Sequence, residues 1–235
     1  MIKIRRTELG KIPRIAVTVD DREDNKLIKS LRPDILEIRV DQFKNTGPAH
    51  IKDVIKKRKK IGIPLILTVR GKEEGGQKNI SDEAKLNIFR DNIRSVDAVD
   101  IELKSPILPE VVKYAKKNKK KVIISWHNLK MTPNEKTLND ILSRAKRSGA
   151  HLVKIAAKAN KAEDFKRLMK FTIENRSKNI ITISLGDIGS LSRIIFPGLG
   201  SLVTYAYIDK PSGLGQIPLN DLRDHLRIYY PSKPT

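Results

Sequence analysis

The chain has 235 residues, of which 39% are hydrophobic, and it has a formal net charge of +21 and no cysteine. No apolar run reaches the ~18 residues that a membrane-spanning helix requires, and the basic N-terminus lacks the apolar stretch of a signal peptide. The absence of cysteine excludes disulfides and thiolate chemistry. These features predict a cytoplasmic protein with a sizeable hydrophobic core.

Two lysine-rich runs, KKRKK at 56–60 and KKNKKK at 116–121, contribute to the positive charge. Each run precedes an apolar run, which places it at the C-terminal end of a predicted helix, where the helix dipole favours cations. A binding surface for polyanions is the alternative. Only 5% of the residues are aromatic, which argues against stacking on single-stranded nucleic acid. We therefore expect solvated helix ends and no nucleic-acid partner.

Eight apolar runs of strand length, rich in Val, Ile and Thr, alternate with charged segments along the chain. In chain order the runs are 15–19, 35–40, 65–70, 98–103, 121–127, 152–157, 180–185 and 201–208. Helical periodicity is clear between them, at 81–96 and 107–118. Strands that alternate with helices predict parallel βαβ units, and eight such units fit a (β/α)8 barrel, which typically has ~250 residues.

We therefore predict an α/β protein with one (β/α)8 TIM barrel over residues 1–235. The first part of the chain, 1–14, is an extension that can form a short hairpin over the N-terminal end of the barrel. A doubly wound open sheet is the alternative fold. It usually has fewer strands, and no Gly-rich dinucleotide fingerprint follows the first strand.

Polar residues occur near the ends of the predicted strands, where the active site of such a barrel lies. Glu37 and Arg39 are two positions apart in one strand, as are Asp100 and Glu102 in another, so each pair faces one side. The other members of this set are Arg70, His127, Lys154 and Ser184. Singly, such residues are more often salt bridges or hydrogen-bonded core histidines. Together they supply an amine nucleophile, a proton shuttle and anion-binding guanidiniums, which is the equipment for imine chemistry.

Lys154 is the most informative of these residues because it lies inside the apolar run LVKIAA at 152–157. An unpaired ammonium in an apolar interior is costly. Two explanations remain open: a buried ion pair, or a site that keeps the amine neutral and ready to act as a nucleophile.

Other common kinds of site have no motif in the sequence. The histidines show no paired spacing with acidic residues, and neither a Walker loop nor a serine-nucleophile motif occurs. We expect no metal and no cofactor. The Gly-rich segment PSGLGQIP at 211–218 follows the eighth strand, and its composition is typical of a mobile covering loop.

Seven short segments form a further pattern along the chain. They are LEIRVD (36–41), TVRGKEEGG (68–76), VDIEL (99–103), SWHN (125–128), VKIA (153–156), SLGDIGSLSR (184–193) and PSGLGQI (211–217). In this order they resemble the type I 3-dehydroquinate dehydratase family, whose fold is a (β/α)8 barrel. The resemblance implies an imine-forming lyase (hydro-lyase) of the shikimate pathway, which removes water from 3-dehydroquinate to give 3-dehydroshikimate for aromatic amino-acid biosynthesis.

The resemblance also implies a role for each site residue. Lys154 corresponds to the imine-forming lysine and His127 to the general acid/base, which Asp100 orients and Glu74 supports. The residues implied in substrate binding are Glu37, Arg39 and Arg70 at the ring hydroxyls, and Arg193, Ser212 and Gln216 at the carboxylate. The chain departs from the family at Ile183 and Leu185, where methionines are frequent, and these residues would keep an apolar wall.

Two other functions remain as alternatives. A class I aldolase also uses a barrel and an imine lysine, but such aldolases usually act on phosphorylated sugars, and no phosphate loop is evident. A basic nucleic-acid-binding module would show steep salt-dependent binding and no turnover. The family resemblance implies a homodimer that acts on a small molecule, 3-dehydroquinate, without a cofactor and without a membrane.

Overall fold

The computed structural model describes residues 2–231, which form a curled parallel sheet of nine strands, eight helices and a separate two-stranded hairpin. The hairpin is β1 (Lys3–Ile4) and β2 (Thr7–Glu8). The sheet strands are β3 (Ile15–Val19), β4 (Ile35–Arg39), β5 (Leu65–Thr68), β6 (Ala98–Glu102), β7 (Lys121–Asn128), β8 (Leu152–Lys158), β9 (Ile180–Leu185), β10 (Thr204–Tyr207) and β11 (Ile217–Pro218).

From β3 onward a helix follows each strand of the sheet, except that β11 stands between β10 and α8. They are α1 (Asn25–Leu31), α2 (Pro48–Lys59), α3 (Asp82–Asn92), α4 (Leu108–Lys117), α5 (Glu135–Arg147), α6 (Ala162–Glu174), α7 (Ser192–Leu199) and α8 (Leu219–Tyr229). The sheet order β11-β10-β3-β4-β5-β6-β7-β8-β9 is parallel throughout, so α1 to α7 are crossover connections between parallel strands, and α8 follows the last strand. The predicted α/β barrel and its N-terminal hairpin are therefore confirmed. None of the helices in residues 2–231 has the length and apolar character needed to cross a membrane.

The outward faces of the strands and the inner faces of the helices form the main hydrophobic core. In β4, for example, Leu36 and Ile38 are fully buried against this helix layer. The helical faces predicted from periodicity are buried as well, as Phe89 in α3 and Val111 in α4 show. Since side chains alternate along a strand, the intervening residues point into the barrel.

The first layer inside the barrel is apolar. Its members are Ala16, Ile35, Ile66, Ala98, Ile123, Leu152 and Ile181. Ile4 and Leu9, from the hairpin region, are buried in the same cluster, so the hairpin closes the barrel at the N-terminal ends of the strands. The second layer, two residues further along each strand, is polar on six strands. It comprises Thr18, Glu37, Thr68, Asp100, Ser125 and Lys154.

The barrel has an unusual seam between β9 and β10, because in residues 2–231 these two strands share no ladder of backbone pairs. Instead, the Ser201 hydroxyl accepts from the Thr182 N–H at 3.0 Å and donates to the Thr182 carbonyl at 3.3 Å. The Ser192 hydroxyl does the same for Ser184, at 3.0 and 3.2 Å. Along this edge of β9, serine hydroxyls satisfy the backbone groups of Thr182 and Ser184, and the Leu202 N–H donates to the Ile180 carbonyl at 2.9 Å.

Three local expectations are corrected. The eighth strand is shorter than the run at 201–208, because Ser201 turns back to cap β9. The helix expected at 81–96 ends at Asn92 and continues as a 3-10 turn, Ile93–Ser95. Arg58, in the first lysine-rich run, is buried rather than solvated, since its guanidinium donates to the Asp20 carbonyl. The other members of that run are exposed at the end of α2, as predicted.

Candidate active site

A cavity of about 640 Å³ opens where the barrel strands end. The predicted site residues that line it are Glu37, Arg39, Arg70, Glu74, His127, Lys154, Arg193, Ser212 and Gln216. Asp100 lies just beneath, buried among the same side chains. Ser184 and Glu102, which also stand near strand ends, do not line the cavity. Residues from four strands (β4, β6, β7 and β8), from the segment after β5, from the start of α7 and from the loop after β10 are thus brought to one place.

Lys154 is 5% exposed and meets two carboxylates inside the barrel. Its Nζ lies 3.3 Å from Glu37 Oε1 and 3.5 Å from Asp100 Oδ2. Glu37 is held in turn by the hydroxyls of Thr18 and Thr68, at 3.3 and 3.0 Å. The apolar sequence around Lys154 faces the helices, whereas the amine is in a polar layer with partners. The ion pair that the sequence left open is therefore present, and it holds the amine at the floor of the cavity.

Asp100 belongs to a network with Arg70 rather than with His127. Arg70 donates from Nη2 to Asp100 Oδ1 at 2.8 Å, and the Ser125 hydroxyl donates to the same oxygen at 2.6 Å. Burial alone would raise the pKa of Asp100, but Arg70 and Lys154 lower it below the ordinary value. No hydrogen bond joins Asp100 to His127 within the described chain. In this arrangement the carboxylate contacts Lys154 and Arg70, and the role expected for Asp100 in orienting the histidine stays a prediction.

His127 is held by Glu74. The distance from His127 Nδ1 to Glu74 Oε2 is 2.8 Å, and the backbone N–H of His127 donates to the same oxygen at 2.9 Å. Burial lowers the pKa of His127 well below 6.5, and the nearby cations, Arg70 foremost, lower it further. Burial raises the pKa of Glu74 to about 8, against the opposing effect of Arg70. The pair therefore shares a proton while the imidazole is neutral, a state in which it can accept a proton.

The loop that carries Glu74 is fixed by its backbone. A 3-10 turn, Lys72–Glu74, ends at Gly75, whose φ of +91° favours glycine. A side chain on Gly76 would collide with the Arg70 carbonyl. The Gly71 N–H donates to Glu102 Oε1 at 2.7 Å, which gives Glu102 a supporting role outside the cavity. These contacts explain why the GKEEGG segment places an acid beside the histidine.

Arg39 is oriented by Asp41, a residue that sequence reasoning did not select. Two hydrogen bonds of 2.8 Å join the guanidinium of Arg39 to both oxygens of Asp41. Asp41 is fully buried and also accepts the backbone N–H groups of Arg70 and Gln77, at 3.1 and 3.2 Å. Its place two residues after Arg39, within the LEIRVD segment, was the signal that could have identified it.

Arg193, at the start of α7, is a buried cation without a carboxylate partner among residues 2–231. It is 3% exposed and donates only to carbonyls, those of Gly215, Leu214 and Tyr205, at 2.7, 3.0 and 3.3 Å. Burial lowers the pKa of Arg193 to about 10. A guanidinium that lines a cavity and has no counter-ion is suited to bind an anionic ligand.

The covering loop lies against Arg193 and forms one wall of the cavity. The side-chain oxygen Oε1 of Gln216 accepts from the Ser212 N–H at 2.6 Å and from its hydroxyl at 3.2 Å, which folds the loop back on itself. Gly215 has a φ of +67°, and a side chain there would collide with the backbone of Gly186. Opposite, Ile183 and Leu185 line the cavity and keep the apolar wall expected from the sequence.

The chain resembles known proteins over nearly its whole length. The family model "Type I 3-dehydroquinase" matches residues 12–233. The 3-dehydroquinate dehydratases of Hydrogenobaculum sp. and Aquifex aeolicus are each 36% identical to it, over 92% of this chain and 99% and 98% of theirs.

Solved structures agree. The type I 3-dehydroquinate dehydratase of Clostridium difficile has a TM-score of 0.89 at 30% identity, with 97% of this chain and 96% of that chain covered. The A. aeolicus enzyme gives 0.83 at 34%, over 93% of this chain and 100% of that chain. With this fold, this cavity and these relatives, the chain belongs to the type I 3-dehydroquinase family of hydro-lyases.

Proposed function

We propose that the protein dehydrates 3-dehydroquinate to 3-dehydroshikimate, a step of the shikimate pathway, through an imine between Lys154 and the substrate ketone. The observation that carries the proposal is the position of Lys154, a buried amine at the floor of a cavity that also contains a neutral imidazole. The names of the relatives supply the substrate, and the volume of the cavity suits a small ring acid.

In the covalent step, Lys154 gives one proton to a neighbouring carboxylate, and its neutral amine attacks the ketone carbon. The ketone oxygen then leaves as water with that proton and one of the two remaining amine protons, so the imine nitrogen keeps a proton. The resulting protonated imine draws electrons from the neighbouring carbon and acidifies its C–H bond. His127 takes that proton and returns one to the departing ring hydroxyl, which leaves as a second water. Hydrolysis of the imine then consumes one water and frees the amine and the product. The net change is the loss of a single water molecule.

The remaining cavity residues are proposed to bind and orient the substrate. Arg193, which lacks a counter-ion, pairs with the substrate carboxylate, and the Ser212 and Gln216 side chains lie beside it in the covering loop. Glu37 and Arg39 are placed deeper, where they can bind ring hydroxyls. Asp41 keeps Arg39 in one orientation, so the hydroxyl-binding groups are arranged before the substrate arrives. No feature of the site specifically favours the class I aldolase.

Borohydride reduction in the presence of 3-dehydroquinate tests the proposal. Reduction of the imine should add the substrate skeleton covalently to the peptide that contains Lys154, as measured by mass spectrometry. Formation of 3-dehydroshikimate should be visible through its conjugated-enone absorbance. Folded protein that gives product without a trapped adduct would contradict the imine, and folded protein that gives neither would contradict the function.

The homodimer remains a proposal that rests on the family resemblance, and the cytoplasmic location one that rests on the composition of the sequence. Sedimentation velocity tests the first directly. A species of twice the chain mass at micromolar concentration is expected, and a monomer over the whole concentration range would contradict it.

A further inference from the structure

An aromatic ring lies beside the amine of Lys154 and lines the same cavity. Tyr205, in β10, points into the barrel and is 2% exposed. The Nζ of Lys154 lies over its ring, 4.0 Å from the ring centroid. At this distance the negative face of the ring attracts a cation, and the effect is larger at a desolvated site such as this one.

The contact with Lys154 is made by the aromatic ring of Tyr205 and not by its hydroxyl. The Tyr205 Oη is buried and has no hydrogen-bond partner among residues 2–231. Burial, with smaller contributions from Glu37 and Asp100, raises the pKa of Tyr205 well above 10, against the opposing effects of Arg70 and Arg39. The side chain therefore stays a neutral phenol. Its hydroxyl makes no contact that would explain why a tyrosine rather than an apolar residue faces the lysine.

The position of the ring is set by the backbone of β10. Tyr205 pairs with Ala16 in the parallel ladder between β10 and β3. Its carbonyl accepts from Arg193 Nη1 at 3.3 Å. The backbone that carries the ring is thus fixed to the sheet on one side and to Arg193 on the other.

Three groups surround the amine, and they differ in chemistry. The carboxylates of Glu37 and Asp100 can attract a cation and can also accept its proton. An aromatic face can only attract the cation. In the imine mechanism the nitrogen of Lys154 becomes the nitrogen of a protonated imine, which must keep its proton while the neighbouring C–H bond is broken. A partner that stabilises the positive charge without accepting the proton suits that intermediate.

We propose that Tyr205 is a positioning residue for imine formation: its ring face holds the Lys154 nitrogen at the cavity floor and stabilises the cationic imine. The proposal rests on the imine function proposed above. The proposal assigns the effect to the electrons of the ring. Changes to the ring should therefore lower the rate, whereas loss of the hydroxyl should change it little.

The test replaces Tyr205 with phenylalanine and then with phenylalanines of increasing ring fluorination, which withdraws electron density from the ring face at nearly constant shape. Tyr205→Phe keeps the ring and should retain most of the activity. Difluoro- and trifluorophenylalanine should lower kcat and the rate of borohydride-trapped adduct stepwise, to a total of roughly 3- to 30-fold, the range expected for a partly to fully desolvated cation–π contact. KM should change less than kcat.

Tyr205→Leu, which removes the ring, should be at least as slow as the most fluorinated variant. Tyr207→Leu in the same strand is the matched control, because Tyr207 does not line the cavity. Its kcat should remain at the wild-type level.

The outcomes separate the two proposals. A wild-type protein without an adduct at Lys154 contradicts the imine function itself. A wild-type adduct with equal rates across the fluorinated series contradicts the role of the Tyr205 ring and leaves the imine intact. A Tyr205→Phe variant as slow as Tyr205→Leu would assign the effect to the hydroxyl, which also overturns the proposal.

Discussion

The two inner layers of the barrel come from the same strands, two residues apart, and have opposite chemistry. Ile35 precedes Glu37 in β4, and Leu152 precedes Lys154 in β8. The first layer, which is the lower one, is apolar and is closed from below by the hairpin. No solvent therefore reaches the second, upper layer from that side. Charges above such a floor must satisfy one another, because an unpaired buried charge is costly. The apolar lower layer is therefore the reason that the charged groups of the upper layer must pair with one another.

The largest expected loss of activity follows from a substitution in the upper layer. Lys154→Arg should abolish borohydride trapping and nearly all turnover, because a guanidinium keeps its proton and cannot form an imine. The ion pairs with Glu37 and Asp100 can persist, so the barrel should stay folded by circular dichroism. Lys158→Arg, at the end of the same strand and outside the cavity, is the matched control. Substantial activity in Lys154→Arg would show that only a positive charge is needed at this position, and it would contradict the imine.

The next effect separates the proton shuttle from the nucleophile. His127→Ala should lower kcat by ~10²–10⁴-fold, the usual contribution of a general acid/base group. The covalent adduct at Lys154 should still form with borohydride, since the amine is untouched. His225→Ala, an exposed histidine on α8, serves as the control and should be fully active. Near wild-type turnover in His127→Ala would remove the residue from the mechanism.

The lower layer should respond in the opposite way. Leu152→Ala removes a fully buried side chain two residues before Lys154, and it should lower the free energy of unfolding by about 2–5 kcal/mol. The kcat at a temperature where the variant is folded should stay within a few-fold of wild type. Urea unfolding and steady-state kinetics measure the two quantities. A large loss of kcat with normal stability would show that the two layers are not separable.

The smallest effect concerns Glu74 and pH. Because its pKa is about 8 in the folded protein and ordinarily 4.5, the folded state holds an extra proton between these values. The stabilisation is complete below pH 4.5 and is lost as the pH rises through 8. Between pH 6.5 and 8 this loss is about 2 kcal/mol in the wild type; His127 in the unfolded chain also titrates near pH 6.5, in the wild type and in any Glu74 variant alike.

Glu74→Gln removes that titration. The free energy of unfolding of the variant relative to wild type should therefore rise over this interval, measured by urea unfolding at several pH values. Glu23, whose pKa is also raised, to about 7, is common to both proteins and cancels in the difference. Parallel stability profiles would show that Glu74 is ionised throughout.

The layers were predictable from the sequence, because a period of two residues places Glu37, Asp100 and Lys154 on one side of their strands. The contacts that these and the other site residues make were not predictable from the sequence. Glu74 reaches His127 across 53 positions from an irregular turn, and no strand periodicity reports where such a turn points. Asp100 occupies the expected layer, but its neighbours depend on how the strands stagger around the barrel. Arg58 was misjudged for a similar reason, since a charge run gives no sign that one member turns inward.

We expect the barrel to open most easily at the seam between β9 and β10. At the other boundaries a ladder of backbone hydrogen bonds must break together before strands separate. Here the hydroxyls of Ser192 and Ser201 and one backbone hydrogen bond, from the Leu202 N–H to the Ile180 carbonyl, hold the edge. Arg193 and the covering loop lie beside this seam, and Lys154 is in β8, on the laddered side. We therefore expect the wall with Arg193 to separate from the sheet at a lower free-energy cost than the strand that carries Lys154.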